Sequence, residues 1–401
     1  MHTTQQLSQG LFWVGGNDRR IALFENMFPL SNGVSYNSYL LADERIAVLD
    51  TVDSSILRTF LENIDAARNG RPVDYLVIHH MEPDHCAGIV ELSRRFPHIT
   101  LVGNAKTFQF IRQFYPGIEL PTLLEVKDGD TLSLGRRTLT FITAPMVHWP
   151  EVMFSYEESE GILFSADAFG SFGALSGNLF ADQVDFDEVY LNEARRYYSN
   201  IVGKYGQQVR LALEKVKDKE VSLLCPLHGP VWRKDIGRFI DLYKTWSAYE
   251  PEQNGVLLAY GSMYGNTEKA AEIVAARLSD RGITGLRMYD VSKTHVSYLI
   301  ADIFRFSHLV FAAPTYNNGL YPAMEMLFHD MAALHVQNRK VALIGNGSWA
   351  PASAKVMEER LSAMRDMTLI ASPVVLKSSV NDEAQKALLA LADQIADSLL
   401  K

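Results

Sequence analysis

Between residues 30 and 230 short apolar runs rich in β-branched residues recur, each closed by a turn-forming or polar residue. Tyr36-Asn37-Ser38-Tyr39-Leu40-Leu41, Ile46-Ala47-Val48-Leu49-Asp50 and Tyr75-Leu76-Val77-Ile78 are typical, and such runs predict buried strands. Longer stretches with helical spacing lie between them, so this part reads as strands covered by helices, closed by an amphipathic helix at 235–249. The polar stretch Glu250-Pro251-Glu252-Gln253-Asn254-Gly255 follows and is the best linker candidate in the chain. Beyond it strand and helix patterns alternate strictly. Strands are predicted at 256–260, 286–291, 308–313, 340–345 and 368–376, each followed by an apolar-periodic helix, the last at 382–401. Five such units specify a doubly wound parallel sheet with ligands at the carboxyl ends of its strands. The pattern divides the chain into a first domain, 1–250, and a second, 255–401.

Composition narrows the choice of function. The 401 residues are 47% hydrophobic, enough to bury sizeable cores, which excludes a disordered or disulfide-stapled chain. A net charge of -9 repels phosphate backbones, so no nucleic-acid partner is expected. No apolar run is long enough to span a bilayer, and Met1-His2-Thr3-Thr4-Gln5-Gln6 lacks the basic-then-apolar pattern of a signal peptide. The expectation is a cytoplasmic protein without membrane contact. Cys86 and Cys225 are the only cysteines, too few for a disulfide framework or an iron–sulfur cluster. Any metal must therefore be held by histidines and carboxylates.

Those residue types concentrate in His79-His80-Met81-Glu82-Pro83-Asp84-His85, directly after the strand pattern 75–78. In an extended loop alternate side chains point the same way, so His80, Glu82 and Asp84 can converge as an oxygen-rich donor set. Three later segments repeat the arrangement: His148 follows the apolar run 139–147, Asp167 follows 161–166, and His228 follows 221–227. Four ligand-type segments delivered at strand ends can meet at one edge of a sandwich.

These residues resemble the metallo-β-lactamase superfamily, whose His-x-His-x-Asp-His loop and downstream His, Asp and His hold two metals in an αββα sandwich. The chain departs from the hydrolases at Glu82, which stands where they carry a second histidine. A carboxylate there hardens the site and favours iron over zinc. His80-x-Glu82-x-Asp84-His85 is the pattern of the flavodiiron proteins. The resemblance implies two non-haem irons, with His80, Glu82 and His148 on one, Asp84 and His228 on the other, and Asp167 bridging; His85 stands close to the metals. His79, His98, His295, His308, His329 and His335 fall outside the pattern and are expected in core, surface or supporting positions.

In the second half, Tyr260-Gly261-Ser262-Met263-Tyr264-Gly265-Asn266-Thr267 joins the first strand pattern to a helix. Hydroxyls, backbone N–H groups and the helix amino end can hold a phosphate there without a lysine. The loop resembles the phosphate loop of flavodoxins, whose ligand is FMN. Pro314, Thr315, Tyr316, Asn317 and Gly319 follow the third strand pattern; Asn346, Gly347, Ser348, Trp349 and Ala350 follow the fourth. Tyr316 and Trp349 offer planar groups for an isoalloxazine ring. The flavodiiron resemblance covers the chain from about residue 10 to its end, without a fused rubredoxin.

What the resemblance implies is reduction of O2 to water, of NO to N2O, or of both, with electrons relayed through FMN. It also implies a rubredoxin or rubredoxin-linked reductase as donor, a head-to-tail homodimer or a tetramer built from it, and Tyr197 beside the bound gas. The competing expectation is a dizinc hydrolase with an appended flavodoxin domain, against which Glu82 argues.

Overall fold

The computed structural model describes residues 1–400. The chain divides into two compact units, Met1–Tyr198 with Gln207–Tyr243, and Ser199–Gly206 with the chain from Lys244 onward.

The first unit is built on two sheets. Seven strands run in the order Gln5–Ser8, Leu11–Trp13, Tyr39–Ala42, Ile46–Leu49, Tyr75–Val77, Thr100–Gly103 and Thr122–Glu125, antiparallel up to Ile46–Leu49 and parallel beyond it. The second sheet orders Thr131–Ser133, Thr138–Thr143, Met153–Glu157, Ile162–Phe164 and Leu223–Cys225, and only its last pair is parallel. Ile46–Leu49, Tyr75–Val77, Ile162–Phe164 and Leu223–Cys225 are buried at every position, which is why they read as continuous apolar runs rather than as alternation. The Tyr39 and Phe164 rings, one from each sheet, meet with centroids 5.4 Å apart, and helices such as Leu57–Ala67 and Ala105–Phe114 lie outside. This is the αββα sandwich.

The second unit carries a sheet ordered Leu286–Asp290, Gln253–Tyr260, Phe306–Tyr316, Arg339–Asn346 and Met367–Leu369. Its pairs are parallel, and the order 2-1-3-4-5 is that of a flavodoxin-like doubly wound sheet. Val256, Leu258, Val310, Ala342 and Ile344 pack one face against Ala271, Val274 and Leu278 of Asn266–Asp280 and against Leu388, Leu391 and Ile395 of Asp382–Leu400.

Several expected elements differ. The run 36–41 is two strands, Val34–Tyr36 and Tyr39–Ala42, because Asn37 turns its amide to the Pro226 and Gly229 carbonyls, both at 2.9 Å. The strand expected at 368–376 is split into Met367–Leu369 and Val374–Leu376, with Pro373 in the gap; proline cannot donate to a ladder. Gln253–Tyr260 begins inside the linker candidate.

Candidate functional site

The ligand-type residues of the first unit sit where strands end. Tyr75–Val77 leads through Ile78 into His79 and His80; Ile162–Phe164 leads to Asp167, and Leu223–Cys225 to His228. The loop is not extended through Asp84 as expected. Glu82 keeps an extended conformation, but Pro83 opens a helical turn, Pro83–Cys86, that carries Asp84 and His85, since proline is favoured in the first turn of a helix.

Two groups result: His80, Glu82, His148 and Asp167, and then Asp84, His85 and His228, each with ligand atoms within 4.8 Å of one another. Glu82 Oε2 is 3.2 Å from His80 Nε2 and 3.0 Å from His148 Nε2. Asp167 faces both groups with different oxygens. Its Oδ2 is 3.3 Å from His80 Nε2 and 3.2 Å from His148 Nε2, while its Oδ1 is 3.1 Å from His85 Nε2 and 3.6 Å from His228 Nε2. His85 and His228 bring their Nε2 atoms within 3.0 Å. His85 thus lies fully inside the second group.

The donor set fits cations. Both carboxylate oxygens of Asp84 and Oδ1 of Asp167 are buried without a hydrogen bond among the described residues, an arrangement that is costly unless a charge is delivered to it. Burial alone would lower the histidines. Against it, hydrogen bonds to Asp167 and Glu82 raise His148 to about 9, and the charges of Asp84 and Asp167 raise His85 to about 9. Burial likewise opposes ionisation of Asp167, yet His85, His80 and His148 hold it well below the usual carboxylate range. A mixed imidazole and carboxylate set of this kind suits iron.

Around these groups lie residues that sequence reasoning missed. Asp50 and Glu151 are buried carboxylates that accept hydrogen bonds from the ligand loop. Glu25, at the rim, has its carboxyl raised to about 8, by burial first and then by Glu82 and Asp84. No local pattern marks any of the three. Tyr197 ends the helix Leu191–Tyr197, just before a π-helical turn, a distortion frequent at functional sites. Its ring centroid is 5.4 Å from that of His228, its hydroxyl has no hydrogen bond among the described residues, and burial keeps it protonated. Of the histidines outside the pattern, His79 is buried between Asp50 and Ser155. Trp149 sets its ring edge-on to His80 at 5.2 Å.

In the second unit a cavity of about 500 Å³ opens at the carboxyl ends of the strands. It is lined by Ser262, Met263, Tyr264, Asn266 and Thr267, by Pro314, Thr315, Tyr316, Asn317 and Asn318, by Asn346, Gly347, Ser348, Trp349 and Ala350, and by Ser378. Gly265 and Gly319 are outside the lining. Gly265 instead takes a left-handed φ of 86° at the start of Asn266–Asp280, which lets the loop turn its N–H groups toward the cavity end, and Gly319 pairs with Tyr316 in a hairpin. No sequence pattern marks Ser378; its hydroxyl is 2.8 Å from that of Ser348, and its backbone N–H donates to Asn346 Oδ1. Trp349 is 89% exposed and Tyr316 44%, leaving two planar faces free to stack. Volume, planar faces and a helix amino end without a basic side chain fit a flavin mononucleotide.

Comparison with known proteins matches both halves of the chain to known families. Residues 34–229 match the family described as ODP family beta lactamase, and residues 258–386 match Flavodoxin. The chain is 31% identical to a nitric oxide reductase of Moorella thermoacetica, over 92% of this chain and 91% of that one. Among solved structures it is similar to the rubredoxin oxygen:oxidoreductase of Desulfovibrio gigas, with 29% identity, a TM-score of 0.92, and 99% of this chain and 98% of that one covered. It is also similar to a protein from Giardia intestinalis titled flavodiiron protein, with 27% identity, a TM-score of 0.92, and 99% and 97% covered.

Proposed function

This chain belongs to the flavodiiron family, and on that premise we propose that it reduces O2 to water, NO to N2O, or both, at a two-iron centre fed by FMN. The observation that carries the reading is Asp167, whose two oxygens address two separate ligand groups. His80, Glu82 and His148 would hold one iron, Asp84 and His228 the other, with Asp167 between them and His85 beside the second. FMN would occupy the cavity bordered by Ser262, Thr267, Thr315 and Trp349.

Bound, these groups supply up to four electrons, enough for O2 and its four protons to give two waters, whereas two NO with two protons need only two electrons to give N2O and one water. The chain's own part is to position and to exclude water. Phe24, Phe172 and Tyr197 form a mutually packed aromatic wall against His228, with centroids 5.1–6.4 Å apart. That wall keeps bulk water off the second ligand group, and the protonated Tyr197 hydroxyl is free to donate a hydrogen bond to a diatomic molecule there. The finer reading adds a cytoplasmic location, a rubredoxin-type donor, a division of labour near residues 250–255, and a head-to-tail homodimer or tetramer that sets the flavin of one chain against the metals of another. The hydrolase alternative is disfavoured by Glu82.

The test is elemental analysis combined with anaerobic turnover of NO and O2 by the photoreduced protein. Two irons per chain and gas consumption are expected. Stoichiometric zinc with no turnover of either gas would refute the reading.

A further inference from the structure

The segment that delivers His148 also reaches behind His80. Three residues after His148, Glu151 is buried, with its side chain 0% exposed. Its backbone carbonyl accepts a hydrogen bond from the Asn104 side-chain amide at 2.6 Å, which ties the segment to the start of Ala105–Phe114. One oxygen, Oε1, accepts the backbone N–H of Met81 at 2.8 Å and lies 2.8 Å from His80 Nδ1. The other, Oε2, is buried without a hydrogen-bond partner among the described residues.

This arrangement has two effects on His80. An Nδ1 proton held by a carboxylate fixes the tautomer, leaving the Nε2 lone pair directed at Glu82 and Asp167. It also places a negative charge behind the ring, and that charge is undiluted because no second donor reaches Oε2. Such a partner makes the imidazole a stronger donor toward a metal, the more so the higher the charge of the ion. The second group has nothing equivalent. His228 Nδ1 is 2.8 Å from a neutral acceptor, the Ser35 carbonyl, and His85 Nδ1 is buried without a hydrogen bond among the described residues.

We propose that Glu151 is a positioning residue that makes the two metal positions unequal, biasing the His80, Glu82 and His148 position toward ferric iron and leaving the Asp84 and His228 position easier to keep ferrous. The inference rests on the diiron reading above. Supporting carboxylates of this kind change metal affinity by about 10–100-fold. If that factor acts on ferric over ferrous iron, it corresponds to about 59–118 mV for a one-electron couple at 59 mV per tenfold.

Two variants of the full-length holoprotein separate charge from geometry. Glu151→Gln keeps an oxygen for the Met81 and His80 donors and puts its NH2 where Oε2 has no partner, so the charge alone is lost. Glu151→Ala loses both. Each is analysed for iron content and by potentiometric titration of the mixed-valence state, followed by electron paramagnetic resonance. Glu151→Gln is expected to keep two irons while its ferric preference at one position falls about 10–100-fold, raising that midpoint alone. Glu151→Ala is expected to lose iron as well. A Glu151→Gln protein whose two midpoints reflect less than a twofold change, whether or not iron is lost, overturns the proposal. Wild-type protein without iron would instead refute the diiron reading on which it stands.

Discussion

Replacing Asp50 tests whether the ligand loop is held by the fold. Asp50 follows Ile46–Leu49, and its carboxylate is fully enclosed. Oδ1 accepts the backbone N–H groups of His79 at 2.7 Å and His80 at 3.2 Å, while Oδ2 is 2.5 Å from His79 Nδ1. The far ring nitrogen of His79 is 2.6 Å from Ser155 Oγ on the other sheet. Asp50→Ala therefore strands three buried donors at once. Each orphaned donor costs about 1–3 kcal/mol; with the 3.2 Å bond counted at the low end, the expected loss is about 3–7 kcal/mol. Asp50→Asn keeps Oδ1 for both backbone donors and places its NH2 against His79 Nδ1. The ring can answer by moving its proton to the Ser155 side, so the loss should be only about 1–2 kcal/mol.

The assay is guanidinium unfolding of metal-stripped protein followed by tryptophan fluorescence, to which Trp13, Trp149 and Trp232 of the first unit contribute. Two transitions are to be fitted separately, since a two-unit chain need not unfold in one step. A domain is stable by about 5–15 kcal/mol, so the alanine variant should lose a large share of the first unit's stability. An alanine loss below about 1 kcal/mol, or an asparagine loss equal to it, would refute the reasoning.

Glu82→His should shift metal content from iron toward zinc and abolish gas reduction, read by elemental analysis and turnover; a variant that still loads two irons would contradict the role given to that carboxylate. His308 is pulled down to about 4, by burial first and then by Lys340. Its unfolded form binds a proton that the folded form refuses, so stability is full above about pH 6.5 and declines as pH falls toward 4. Allowing for partial solvent screening, the decline is about 1–2 kcal/mol; urea unfolding at pH 7 and pH 4.5 should show it in the wild type and lose it in His308→Gln. For the proposed dimer, a chain with His80→Ala and Asp84→Ala, mixed after subunit exchange with a chain unable to bind FMN, should regain gas reduction. A demonstrated but inactive heterodimer would exclude transfer between chains.

Much of the architecture could be read in advance because each metal-type residue follows a run too apolar to be anything but a buried strand. His80, Asp167 and His228 are marked in this way. The five alternating units after residue 255 likewise carry their topology in their order. What local pattern could not show was closure at a distance. Asn37 sits in a run that reads as one strand and is diverted by partners 189 and 192 residues away. Glu151 and Asp50 look like ordinary loop carboxylates until partners 71 and 29 residues away cover them. Asp84 lies on a helical turn rather than the expected extended segment because the alternation His80, Glu82, Asp84 is equally compatible with a turn beginning at Pro83. Ser378 comes from the edge of the sheet, beyond Val374–Leu376, where no glycine-rich loop announces it.

The backbone beside the metal-type residues explains why the framework has to be so closely braced. Asp50, Met146, Ala166 and Phe169 take left-handed φ values of 54°, 65°, 49° and 67°, and none is glycine. Each such residue costs about 1–2 kcal/mol, a strain that persists only where the surroundings leave no alternative. Here the surroundings do so: Ala166 accepts the Leu227 N–H through its carbonyl, Asp50 N–H donates to Val77, and Met146 N–H donates to Trp149, each at 2.7–2.9 Å. Glycine at these positions would remove the strain but would also widen the range of loop conformations. A side chain narrows that range, and the hydrogen bonds around it hold His80, His148 and Asp167 in register with the strand ends. The stability of two buried sheets is thereby spent on ligand placement, and the carboxylates behind the loop, Asp50 and Glu151, are where that placement is most exposed to a single substitution.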